Sequence, residues 1–273
     1  MITRIELDGF KTFRAFKLDL EPLQVIVGPN AAGKSNLFDA LILLSHLADT
    51  DLRTAFQRMR GDAGELFTIH TDGAREMRMK LAAEMLVEPK IVDSWGAEAE
   101  LKYTRLRYDL TIIRQTDNKG LERLYVEHES LTLIQRGIDR WAKRQGLDAQ
   151  YHWLPRVTGG RAPFISTEVE QGAATVFLHQ DGRSGRKGSV AARMERTVLS
   201  GVPNTEFPHA FAVRNEMRSW RFLQLNPEIL RQPSSMVGAQ IMRADGGNLP
   251  GALARLEAYD PYLLNDIGRD LGN

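Results

Sequence analysis

Cysteine is absent from the 273 residues. That excludes disulfides, thiol nucleophiles and thiolate metal centres, and leaves aspartate, glutamate and histidine as the available ligands. Long apolar runs are missing too. The longest near the start, Leu41 to Leu44, is far below the ~20 residues of a membrane-spanning helix. The opening Met1-Ile-Thr-Arg-Ile-Glu6 lacks the apolar core of a signal peptide, so a soluble, cytoplasmic chain is expected. Charge of one sign is lacking: 36 Lys and Arg against 35 Asp and Glu leave a net charge of +1. No global field then draws the chain to nucleic acid or to an anionic membrane, and any such binding must come from a local patch. Repeats and low-complexity tracts are also missing, which removes solenoid and linker architectures. What is present, 42% hydrophobic and 26% charged residues, is the composition of a folded protein with room for one large domain or two modest lobes.

The periodicity divides the chain into segments. Ile5 and Leu7 alternate with polar neighbours, a break covers Gly9 to Arg14, and Phe16, Leu18 and Leu20 resume the alternation, which predicts an N-terminal β-hairpin. Leu23-Gln-Val-Ile-Val27 predicts a strand covered on both faces. From Ser35 to Ala48 the stripe Leu37, Ala40, Leu41, Leu44 and Leu47 predicts a helix. Period-two stretches at Met77 to Leu81, Leu101 to Ile113 and Leu124 to Leu133 predict an antiparallel β lobe, and Thr175 to His179 a further strand. Gly137 to Ala162 reads as a long connection and Gln180 to Gly188 as a basic loop. Pro208 opens a helix toward Trp220, Arg221 to Leu225 is a candidate strand, and helices are expected from Pro250 and from Pro261.

Between the predicted strand and helix stands Gly28-Pro-Asn-Ala-Ala-Gly-Lys-Ser35, which satisfies G-x-x-x-x-G-K-[ST] at every fixed position. Glycine at 28 and 33 permits turns that aim successive amides, including those of Asn30, Ala31 and Ala32, at a phosphate chain beside a positive helix N-terminus. In this arrangement Lys34 reaches the β and γ phosphates, Ser35 offers its hydroxyl to Mg²⁺, and Asn36 donates near the α phosphate. The guanine-reading pattern Asn-Lys-x-Asp is absent, since Asn118-Lys119 is followed by Gly120-Leu121, so ATP is the expected nucleotide.

The hairpin ahead of the phosphate loop, with Gly9-Phe-Lys-Thr-Phe13 at its turn, resembles the head domains of the SMC, RecF and OLD-type ATPases of the ABC superfamily. Gly28 to Asn36 followed by Leu37-Phe-Asp-Ala40 is similar to their G-P-N-x-x-G-K-S-N loop. His179 to Gly182, Arg196 to Ser200, Ser219 to Leu223 and Asp245 to Leu249 are similar to stretches of bacterial AAA-type ATPases of this branch. The resemblance implies an α/β P-loop NTPase fold, ABC-ATPase head-like, with an N-terminal β-hairpin and an inserted antiparallel β-rich lobe. It implies ATP hydrolysis with Mg²⁺, a homodimer or oligomer formed through nucleotide, and DNA or a protein effector as partner. It makes Lys11, Thr12 and Arg14 candidates for base or phosphate contacts, a solvated turn being the other reading. Gln57 is a candidate for the glutamine that touches Mg²⁺, or a surface helix residue.

The catalytic residues are not found. Neither an apolar strand ending in Asp-Glu nor a Leu-Ser-x-Gly signature is present: Met85-Leu-Val-Glu88 lacks paired carboxylates, and in Leu199-Ser-Gly201 the glycine follows serine directly. The expectation is the front part of a longer ATPase, with 1–60 as the phosphate-loop part of a nucleotide lobe, 61–207 as the β-rich lobe and 208–273 returning to the nucleotide lobe. A nucleotide-gated interaction module without turnover is the alternative. The histidines show no zinc spacing. Arg183, Arg186, Lys187, Arg193 and Arg196 form a local basic cluster, and Trp141, Tyr151 and Trp153 offer aromatic faces, for which ordinary packing is the competing reading. Because the core lacks those downstream elements, the Leu37, Leu41 and Leu44 face of the first helix is expected to be exposed and to promote self-association.

Overall fold

Alternation at the N-terminus becomes structure directly: β1 (Ile2–Asp8) buries every second residue and pairs with β2 (Phe16–Asp19), as the hairpin pattern predicts. The computed structural model describes residues 1–116, 118–147, 163–170, 173–180, 186–190, 194–235 and 242–271. These fall into two compact units, Met1–Trp220 and Arg221–Asn273.

In the first unit β1 and β2 join β3 (Arg78–Leu86), β6 (Arg105–Thr116), β7 (Glu122–Leu133), β8 (Ile165–Glu170), β9 (Ala173–His179) and β10 (Arg186–Val190). They form one eight-stranded antiparallel sheet in the order β10-β9-β8-β7-β6-β3-β1-β2. A small separate hairpin is made by β4 (Lys90–Val92) and β5 (Glu98–Glu100). The large sheet runs through the expected division at residue 60, so 1–60 and 61–207 share a sheet rather than forming separate lobes. The expected basic loop Gln180 to Gly188 gives way to strand β10 from Arg186; residues 181–185 lie outside the described residues.

One face of the sheet is apolar, with Ile5, Leu7, Met79, Leu81, Leu106, Tyr108, Leu110, Ile112 and Leu131 buried. These side chains join α1 (Lys34–Leu47), α2 (Leu52–Gln57) and α4 (Pro208–Ser219) in a single core. In α1, Leu37, Ala40, Leu43, Leu44 and Leu47 are buried in this core. This corrects the expectation of an exposed Leu37, Leu41 and Leu44 face: Leu41 is half-buried and the other two are covered, because the antiparallel sheet supplies the packing surface. The C-terminal carbonyls of α1 are also satisfied: Thr197 donates to Leu47 O at 2.9 Å and Arg214 to Ala48 O at 3.2 Å.

The sheet's other face carries a charge lattice. Arg107 reaches Glu6 and Glu84 at 3.2 Å and Asp109 at 2.7 Å, and Arg4 reaches Glu6 at 2.7 Å and Asp19 at 2.5 Å. Burial alone would raise the Glu6 pKa, but hydrogen bonds from Arg107 and Arg4, and their charges, bring it down to about 2.

A second correction concerns Leu23 to Val27. These residues belong to no strand, and Leu23, Val25 and Val27 are 86%, 72% and 85% exposed. The β-branched run has the propensity for a central strand, and among the described residues no neighbouring strand pairs with it. Ile26 alone leans on the core.

In the second unit Arg221 to Leu225 is likewise not a strand. Gln224 N and Asn226 N bond to Ala244 O and Asp245 O at 2.8 and 3.1 Å, followed by α5 (Pro227–Leu230), α6 (Leu249–Tyr259) and α7 (Pro261–Leu271). Asp245 to Leu249 is a turn: the Asp245 carboxylate accepts from Gly247 N at 2.9 Å, and Gly246 adopts φ +79°. The expected helices are therefore present, each with proline in its first turn.

Candidate functional site

The phosphate loop folds by local chemistry. Ala31 and Gly33 both take left-handed backbone, at φ 65° and 90°, and α1 begins directly afterwards at Lys34. Gly33 supplies this conformation at little cost, whereas Ala31 must be held in it by its surroundings. The Lys34 ammonium is drawn over the loop, donating to Gly28 O and Pro29 O at 2.7 Å each. Ser35 is exposed at the helix start and Asn36 is half-buried beside it. No acidic residue occupies the first turn of α1, so no side-chain carboxylate within that turn offsets the positive helix end.

The hairpin turn docks onto this loop. Asn36 Nδ2 donates to Thr12 Oγ1 at 3.0 Å. The turn is fixed by Gly9 N to Phe13 O (3.1 Å), Phe13 N to Phe10 O (2.8 Å) and Lys11 N to Leu66 O (2.8 Å). Gly9 is required here: it has φ +71°, and a Cβ would lie 2.3 Å from Arg78 O. Lys11 and Ala15 also adopt positive φ, at 46° and 44°.

Lys11, Thr12 and Arg14 thus come together at one cavity of about 530 Å³, whose wall is completed by Arg60, Glu65, Phe67, Thr68 and Ile69. Glu65 belongs to a 3-10 turn at Ala63–Leu66, which leads directly into Phe67, Thr68 and Ile69. Arg14 extends to His70 Nδ1 at 3.1 Å. Lys11 and Arg60 converge on Asp39 of α1, which is almost wholly buried. Sequence reasoning missed Asp39, Arg60 and Thr68. For Asp39 a signal existed: it lies one helical turn before Leu43, in phase with the buried stripe, where a carboxylate needs a cationic partner. Arg60 and Thr68 meet the site only through tertiary packing.

Other sequence candidates lie elsewhere. Gln57 is exposed at the end of α2 and lines a different cavity, with Arg53, Arg114 and Glu195. Trp141 is buried beneath the Arg105 guanidinium, 5.0 Å from its ring, and so is a packing aromatic. Arg196 is spent on Asp49 O, Ser200 O and Ser200 Oγ. Arg183, Arg193, Tyr151 and Trp153 lie outside the described residues. Among the described residues no group of three or more His, Asp or Glu is arranged to hold a metal ion, and no helix is long and apolar enough to cross a membrane.

A solved structure from work on the structural biochemistry of ATP-driven dimerisation and DNA-stimulated activation of SMC ATPases matches with 20% identity. The match covers 46% of this chain and 69% of that one, with a TM-score of 0.27. The family model described as AAA ATPase domain matches residues 1–178, the span that contains the hairpin, the phosphate loop and most of the sheet. The matched span covers more than half of the sequence, and the chain belongs to the AAA ATPase domain family.

Proposed function

We infer that the chain binds ATP with Mg²⁺ at Gly28 to Asn36, with Lys11, Thr12 and Arg14 on the nucleoside side. The observation that carries this is the docking of the hairpin turn on the start of α1 through Asn36 and Thr12, Thr12 also lining a cavity with Lys11, Arg14 and Arg60. The triphosphate takes the amides of Asn30, Ala31, Ala32, Gly33, Lys34 and Ser35, and Lys34 exchanges its carbonyl partners for phosphate oxygens. Ser35 would give Mg²⁺ one hydroxyl ligand, the remaining positions falling to phosphate oxygens and water.

Binding and turnover separate in this reading. Positioning and charge stabilisation carry phosphoryl transfer, and hydrolysis requires a metal-binding Asp and a water-orienting Glu. Turnover is accordingly proposed only when a signature segment and an acidic strand are supplied. A nucleotide-sandwiched dimer, and DNA or a protein effector as partner, are proposed on the sequence resemblance alone. The test is equilibrium titration with Mg-ATP: saturable binding that Lys34→Ala abolishes supports the reading, and equal, negligible binding by both proteins overturns it.

A further inference from the structure

Asp39 is the anomaly of α1. The helix buries Leu37, Ala40, Leu43, Leu44 and Leu47, and among them a carboxylate that is 2% exposed. A charge is tolerated at such a position only when it is paired and hydrogen-bonded. Its two oxygens are divided between two segments distant in sequence. Lys11 Nζ from the hairpin turn lies 2.6 Å from Oδ2, and Arg60 from the turn after α2 reaches Oδ1 and Oδ2 at 2.9 and 3.0 Å. The Lys11 side chain is itself mostly covered, at 15% exposure, and its backbone is left-handed. Two cations that would repel each other are therefore gathered by one anion, and both line the cavity that Thr12 also lines. Next to Lys11, Thr12 receives the Asn36 bond, and its Oγ1 would lie 3.3 Å from a Cβ at Gly33.

Resting on the nucleotide site proposed above, we propose that Asp39 is its positioning residue: by tying Lys11 and Arg60 to the phosphate-loop helix, it shapes the wall that receives the nucleoside part of the ligand. It touches no phosphate in this role. The triphosphate is gripped by the loop amides and Lys34, which do not depend on Asp39, whereas the nucleoside side depends on where Lys11 and Thr12 stand. Discrimination between a nucleoside triphosphate and a bare triphosphate is the quantity Asp39 controls. A residue that merely stabilises α1 would move both affinities together.

The experiment titrates the full chain, wild type and Asp39→Asn, with Mg-ATP and with Mg-tripolyphosphate, and compares the ratio of the two affinities. Wild type should prefer ATP, and Asp39→Asn should cut that preference at least fivefold, through loss of ATP affinity. Lys11→Met should reproduce the effect, and the double variant should be no worse than either single one, because both act through one contact. If Asp39→Asn does not fold, Lys11→Met decides by the same fivefold criterion. A smaller change in the ratio, a parallel loss of both ligands, or a wild type without preference overturns the proposal. Failure of wild type to bind either ligand would instead bring down the nucleotide site itself, and this proposal with it.

Discussion

Tyr108 donates its hydroxyl to Glu129 at 3.0 Å inside the core, and the same carboxylate accepts from Val198 N at 2.7 Å and Leu199 N at 2.9 Å. Glu129 is fully buried on the apolar face of β7, and so it links the sheet to the 195–201 segment. That segment holds the far end of α1 through Thr197 and Leu47. Burial pushes the Glu129 pKa up to about 7, against the opposing pull of the Leu199 and Val198 amides and the Tyr108 hydroxyl.

The sign of the resulting pH dependence is fixed. A carboxyl whose pKa is higher folded than unfolded binds more protons in the folded state, so its contribution is fully present below its ordinary value and is lost as pH rises toward 7. Stability should fall across that window by roughly 1.4 kcal/mol per pH unit at most. Urea unfolding of wild type and Glu129→Gln at pH 5, 6, 7 and 8 checks this: the variant should lose most of the decline. Parallel curves would count against it.

Glu6 acts in the opposite direction. Its pKa is lowered to about 2, chiefly through bonds to Arg107 and Arg4 that overcome the effect of burial. Its contribution is therefore present above its ordinary value and disappears as pH falls through about 2. Glu6→Gln should lower stability at pH 7 by about 1–3 kcal/mol and reduce the steepness of acid unfolding between pH 4 and 2, as followed by circular dichroism.

Arg105 and Asp139 form a buried bidentate pair, each 3% exposed, with bonds of 2.7 and 3.0 Å. Asp139 also accepts from Ala142 N at 3.1 Å and so caps α3 (Arg140–Arg144). Arg105→Met leaves that carboxylate buried without its cation, and should cost about 3–5 kcal/mol. The double variant with Asp139→Asn should recover part of the loss in the same denaturant titration.

Gly9→Ala should be severe for its size. The new methyl must coexist with Arg78 O at 2.3 Å on a backbone at φ +71°. The expected loss is about 2 kcal/mol or more, and Mg-ATP affinity should fall with it because the turn carries Lys11 and Thr12.

Much of this was legible where the information is local. The hairpin, the glycine loop, α1, the long β6 and β7 strands and the proline-led helices follow from period, turn chemistry and caps within a few residues. The phosphate loop was readable because backbone geometry dictates its glycines. Asp39 showed its burial in the helical phase but not its partners, since Lys11 and Arg60 lie 28 and 21 positions away, and Arg60 and Thr68 reach the site only through tertiary packing. Leu23 to Val27 and Arg221 to Leu225 misled for a related reason: propensity describes what a segment would do beside a partner strand, and no such partner stands beside either among the described residues.

The open run Leu23 to Val27 has a consequence for handling the protein in concentrated solution. Three exposed apolar side chains on a run that no strand pairs among the described residues make a template on which another copy's backbone can stack. Pro22 stands immediately before the run and Gly28-Pro29 immediately after it, and proline donates no amide to a growing ladder. The two prolines thus act as gatekeepers that hold the sticky stretch to five residues, too short to seed an ordered fibril readily. Replacing Pro22 with threonine should lengthen it, and light scattering should then show faster aggregation than in wild type at equal concentration.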